Sequence, residues 1–167
     1  MKNIIGMVLV LAVCALPAAA QNTWDWSSAG GAGVIDANNN TLYVMADGYL
    51  GIRPDSVATA EARYPVTNTV GSLTTFTPGW TTLEITVHDQ YIGDGSVTAT
   101  LYEVDKCSGE QTQLCQIESE DTDEDTHCNS CTFSGGLDFA NNAYYVYAAV
   151  AKTSATADPR LYAVAIY

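Results

Sequence analysis

The chain has 167 residues, with 19 Asp and Glu against 6 Lys and Arg, for a formal net charge of −13. A surface this negative repels phosphate backbones and anionic lipid headgroups, which excludes nucleic acid as a partner, and it attracts cations. The length suits one domain that buries a single core without needing disulfides to fold.

Met1-Lys2-Asn3 is a short basic start, residues 4–16 are almost wholly apolar, and Pro17-Ala18-Ala19-Ala20 supplies the small residues that a signal peptidase needs. Residues 1–20 therefore read as a secretory signal peptide cleaved before Gln21. Their apolar run is shorter than the ~20 residues of a membrane-crossing helix, and no later run is longer, so no helical membrane span is expected. Lipid attachment at Cys14 is disfavoured by the bulky Val13 before it. Once the leader and Cys14 are removed, Cys107, Cys115, Cys128 and Cys131 remain in an oxidising compartment. The expected location is extracellular or the bacterial cell surface, and the expected state of these four cysteines is two structural disulfides.

Residues 21–40 are rich in Gly, Ala, Ser and Asn and show neither helical nor strand periodicity, so they read as a flexible N-terminal arm. The arm carries Trp24 and Trp26. From residue 41 to residue 167, short runs of Val, Ile, Thr, Tyr and Leu are broken by Gly, Pro, Asn and Asp. That texture predicts an all-β domain.

Strands are expected at residues 41–46, 49–53 and 63–69, with at most a helical turn or two at 57–63. In residues 81–88, Leu83, Ile85 and Val87 alternate with Thr82, Glu84, Thr86 and His88, giving one core face and one wet face. Residues 96–105 alternate Val97, Ala99 and Leu101 with Thr98, Thr100 and Tyr102, and Asp94-Gly95 suggests a hairpin between the two strands. A further strand is expected at residues 112–118. In residues 143–153, Tyr144, Val146, Ala148 and Val150 lie on one face and Tyr145, Tyr147, Ala149 and Ala151 on the other. Both faces are non-polar, so either both are covered or one meets a partner. Residues 160–167 form the last strand.

These elements predict an antiparallel two-sheet β-sandwich of jelly-roll or Greek-key type. The alternative is a small β-barrel, since the aromatic ending at Tyr167 resembles the last strand of bacterial outer-membrane barrels, although most runs here are too short for one.

The four cysteines flank the densest acid run of the chain, residues 118–125. Ser108-Gly109-Glu110-Gln111 reads as a hairpin tip that sets Cys107 opposite Cys115, leaving Cys128 to pair with Cys131. Nested bridges from Cys107 to Cys131 and from Cys115 to Cys128 are the next choice. Zinc held by the four thiolates is disfavoured, because the wide first pair is no knuckle and exported thiols oxidise. Glu120, Asp121, Asp123 and Asp125 offer hard oxygen ligands for calcium, but in no ordered calcium-loop pattern, and a solvated charge run is the preferred explanation.

Catalytic signatures are missing: His88 and His127 are the two histidines, and no Gly-x-Ser-x-Gly elbow marks a nucleophile. The aromatics are the remaining lead. Trp24, Trp26, Trp80, Tyr145 and Tyr147 can stack on sugar faces or anchor an interface. The expected function is a non-catalytic exported β-sandwich acting through its surfaces, as a structural or adhesive subunit that self-associates or binds other surface proteins. A carbohydrate-binding module with a glycan partner is the alternative. A secreted hydrolase or an outer-membrane barrel stands behind both.

Overall fold

The computed structural model describes residues 25–35, 43–69, 78–88, 94–119 and 126–167. Within them, one sheet runs in the order β3 (Tyr43–Ala46), β4 (Tyr49–Ile52), β11 (Arg160–Ile166), β6 (Thr82–His88) and β9 (Thr126–Thr132), with β1 (Trp26–Ala29) also paired to β11. The other runs β2 (Val34–Ile35), β5 (Ala58–Val66), β10 (Asn142–Lys152), β7 (Gly95–Asp105) and β8 (Gln111–Glu118). Every strand pair is antiparallel. The inner faces share one core that includes Leu50, Leu83, Ile85, Val87, Val97, Leu101, Val146 and Leu161. The two-sheet sandwich is therefore as expected. Neither sheet closes on itself, which overturns the barrel alternative.

Period-two alternation explains most of these strands. Along β6, Leu83, Ile85 and Val87 are fully buried while Thr82, Glu84, Thr86 and His88 are half-exposed. Along β5 the inward set is Ala60, Ala62, Tyr64 and Val66, so the helical turn expected at residues 57–63 is a strand instead. Alanine, the best helix former, mutes the alternation there. β3 and β4 form a tight hairpin through Asp47 and Gly48, both with positive φ, the geometry that Asp-Gly adopts in a two-residue turn.

The pairing expected between residues 81–88 and 96–105 does not form. β6 lies in one sheet and β7 in the other, so the chain crosses the sandwich between them. β7 pairs instead with β8 and β10.

Residues 25–35 likewise depart from the expected flexible arm. β1 pairs with β11, a single 3-10 turn follows at Gly30–Ala32, and β2 pairs with β5, so the segment runs from one sheet to the other. Trp26 enters the core, 6% exposed. The crossing is close-fitting. A Cβ on Gly30 would lie 1.8 Å from the Leu161 carbonyl oxygen, and the buried Tyr64 hydroxyl donates to the Gly30 carbonyl at 2.6 Å. Desolvation raises the Tyr64 phenol far above its ordinary range, so it stays a donor. The rest of the expected arm, including Trp24, and the expected signal peptide lie outside the described residues.

The expected disulfide pairings are corrected as well. Cys115 of β8 bonds Cys131 of β9, joining one sheet to the other across an open side of the sandwich, with a sequence separation of 16. Cys107 does not face Cys115. It sits in the β7–β8 turn, where Asp105 accepts from the Cys107 and Ser108 backbone N–H groups at 2.9 and 2.7 Å, while Cys115 pairs in register with Leu101 and points inward. These turn bonds, the one from Ser108 foremost, hold the Asp105 carboxyl below the usual carboxylate range. Cys107 and Cys128 are exposed free thiols.

Two outcomes follow. The unfolded, unreduced chain of residues 21–167 reacts with a thiol reagent at two cysteines, Cys107 and Cys128, and replacing Cys115 by Ala costs about 3 kcal/mol in denaturant unfolding; no reactive thiols would contradict the pairing. Gly30→Ala, which drives a methyl group into the Leu161 carbonyl, costs about 3 kcal/mol by the same measurement.

Candidate functional site

β10 decides what its sheet presents to solvent. It pairs with β5 on one side and β7 on the other along nearly its whole length. Tyr144, Val146, Ala148 and Val150 fill the core, so Tyr145, Tyr147, Ala149 and Ala151 must point outward. The strand register then sets three rows across this outer face. Pro65, Tyr145, Tyr102 and Gln113 form one row, and Arg63, Tyr147, Thr100 and Gln116 the next. Glu61, Ala149, Thr98 and Glu118 form the third, and Val34, 63% exposed, lies beside Arg63 at the rim.

The side chains on this face are organised. The Tyr102 and Tyr145 rings stack with centroids 5.2 Å apart and planes at 20°. The Tyr145 hydroxyl donates to Gln111 Oε1 at 2.8 Å, and Gln113 Nε2 donates to Gln116 Oε1 at 3.3 Å. The Arg63 guanidinium lies 6.0 Å from the centre of the Tyr147 ring. Thr100 is buried beneath this layer, although its side chain faces outward. Desolvation raises the Tyr145 phenol, with Tyr102 adding to the shift and Arg63 opposing it. The phenol is thus a neutral donor through ordinary pH. The face combines half-buried aromatic surface with amide groups that both donate and accept.

Of the residues singled out in the sequence, Tyr145 and Tyr147 lie on this face. Trp26 and Trp80 do not, and both are core residues. The Trp80 ring meets Phe139 edge-on at 6.2 Å, and Phe139 meets Tyr144 at 5.0 Å, closing one end of the sandwich. Tyr144 accepts from the Asp138 backbone N–H at 2.7 Å and donates to Glu103 at 2.8 Å, and burial pushes its phenol up to about 12. Trp24 and the calcium candidates Glu120, Asp121, Asp123 and Asp125 lie outside the described residues. Among the described residues, no three His, Cys, Asp or Glu side chains gather as a cation site.

His88 and His127 occupy adjacent strands but opposite faces, since Val87, the inward neighbour of His88, pairs with His127. They cannot share one catalytic site. Tyr102, Arg63, Gln111, Gln113 and Gln116 were not singled out from sequence. Tyr102 was visible as the outward member of an alternating strand, but only the register brings it against Tyr145.

No protein-family model and no curated protein matches the chain. Among solved structures, similar folds include a CBM36 carbohydrate-binding module in complex with calcium and xylotriose, at 10% identity and TM-score 0.48, covering 85% of this chain and 99% of that one. Another is the C-terminal CBM6 of a marine laminarinase from Zobellia galactanivorans, at 12% identity and TM-score 0.49, covering 85% and 98%. A third is the xylan-binding module CBM15, at 14% identity and TM-score 0.47, covering 85% and 94%. At such identities the residues of this chain alone must carry any reading of its function.

The parity of β10 gives a direct outcome. Val146→Asn, which buries an amide in the core, costs about 4 kcal/mol in denaturant unfolding, whereas Tyr147→Asn on the outer face costs about 1 kcal/mol. Equal costs would show that the two faces have been assigned wrongly.

Proposed function

We propose that this chain is an exported, non-catalytic glycan-binding β-sandwich, and that a neutral polysaccharide lies across the outer face of the β5, β10, β7 and β8 strands. The observation that carries this reading is the Tyr102–Tyr145 stack, set beside Tyr147 with its Arg63 and bordered by Gln111, Gln113 and Gln116. Sugars present apolar C–H faces rimmed by hydroxyls. Aromatic rings beside amides complement both parts, the rings by contact and the amides by paired hydrogen bonds.

The rows also run across four adjacent strands, which suits an extended chain rather than one buried sugar. The net charge of −13 favours a neutral glycan over a polyanionic one. Export is part of the proposal, supported by the leader sequence and by a disulfide that an oxidising compartment preserves.

The structural or adhesive role expected from sequence is served by the same face, since glycan binding is one means of adhesion. Self-association through a tryptophan-bearing arm loses one support, because Trp26 packs in its own domain. A second copy docked on the tyrosine face remains the competing use of this surface, favoured by the exposed Val34 at its rim.

Affinity electrophoresis through gels containing neutral β-linked polysaccharides tests the reading. The wild-type protein is retarded by at least one of them, and Tyr102→Ala and Tyr145→Ala each weaken binding by about 2 kcal/mol without unfolding the domain. No retardation on any neutral glycan, with a dimer that dissociates in the same two variants, would assign the face to self-association.

A further inference from the structure

A cleft of about 400 Å³ lies where β10 ends and β11 begins, and its lining includes Tyr49, Ile52, Pro54, Lys152, Asp158 and Arg160. That volume fits a single small molecule. Lys152 is the last residue of β10 and follows Val150 in the inward set, so its strand parity carries it into the end of the sandwich. It is 4% exposed. No carboxylate or hydrogen-bond acceptor among the described residues reaches it.

The nearby acid is already engaged. Asp158 forms an ion pair with Arg160, whose guanidinium also lies 4.8 Å from the centre of the Tyr49 ring. Arg160 Nε is nevertheless buried without a hydrogen-bond partner. The cleft thus holds two cations and one carboxylate, a local excess of one positive charge in a chain of net charge −13. Two of the six Lys and Arg residues of the whole chain meet here.

We propose that this cleft binds a small organic monocarboxylate, with the carboxylate set between Lys152 and the exposed part of the Arg160 guanidinium and the carbon skeleton against Ile52, Pro54 and Tyr49. One excess positive charge matches one carboxylate. A polyanion would be repelled by Asp158 and by the field of the whole protein. The donor set suits a carboxylate, since an ammonium and a guanidinium N–H both form charge-assisted bonds to its oxygens. The cleft is separate from the tyrosine face, so its occupancy does not depend on the glycan reading. Two sources share this chemistry, a sugar acid such as a uronic-acid residue and a simple short-chain acid.

Calorimetry and NMR titration of the full exported chain with glucuronate, acetate and glucose test the proposal. Glucuronate or acetate binds and shifts the Lys152 side-chain resonances, while glucose does not. Tighter binding of glucuronate assigns the ligand to sugar acids, and equal binding assigns it to simple carboxylates. Lys152→Met, which keeps the shape and removes the charge, weakens binding at least about tenfold while circular dichroism shows the fold intact; Tyr145→Ala leaves it unchanged. The Lys152 shift in the wild type keeps the test decisive if the Met variant fails to fold. Glucose that shifts the Lys152 resonances as strongly as glucuronate does, no binding of either acid, or binding that leaves Lys152 unperturbed would overturn the assignment.

Discussion

The double pairing of β10 is the constraint on which the rest of this molecule depends. A strand held on both sides by long antiparallel neighbours cannot rotate or slip by one residue without turning its whole core set outward. With Val146, Ala148 and Val150 fixed in the core, Tyr145 and Tyr147 have no choice of face. The same parity carries Lys152 inward at the strand's end. One ladder therefore produces both an aromatic outer surface and a buried lysine.

The remaining edges of the sandwich are closed by other means, which leaves that outer surface available. On one side the segment from β1 to β2 passes between the sheets, pinned by the Tyr64 hydroxyl and by the absence of a side chain at Gly30. On the opposite side Cys115 and Cys131 link β8 to β9. At one end Trp80, Phe139 and Tyr144 pack edge to face, while Lys106 donates to the Phe139 and Ala140 carbonyls at 2.7 and 3.2 Å and ties the β7–β8 turn to that corner. Trp26 and Trp80, which the sequence offers as sugar platforms, are spent on closure. Tyr145 and Tyr147, which the sequence also offers as contact residues, lie on the outer face beside Tyr102.

Much of this was legible in the sequence wherever alternation was strong. β6, β7, β10 and β11 follow from apolar residues at every second position, and the two-sided apolar character of β10 pointed to a surface with a use. β1 and β2 were not legible because they are short and lie among glycines. β9 was hidden because its inward residues are His127, Asn129 and Cys131, so no apolar period marks it beside the acid run. The disulfide and the tyrosine stack depend on which strands become neighbours. β6 and β7 adjoin in sequence yet belong to different sheets, and no local pattern records such a crossing.

The central claim is that the outward residues of β10 and its neighbours form the binding surface. The most direct measurement is residue-resolved NMR of the labelled protein during titration with a soluble oligosaccharide cut from a polysaccharide that retards it. The account predicts shifts confined to Tyr102, Tyr145, Tyr147 and Arg63 and to the side-chain amides of Gln111, Gln113 and Gln116. Shifts centred on the opposite sheet or on residues 120–125, with the tyrosine face unchanged, would contradict it.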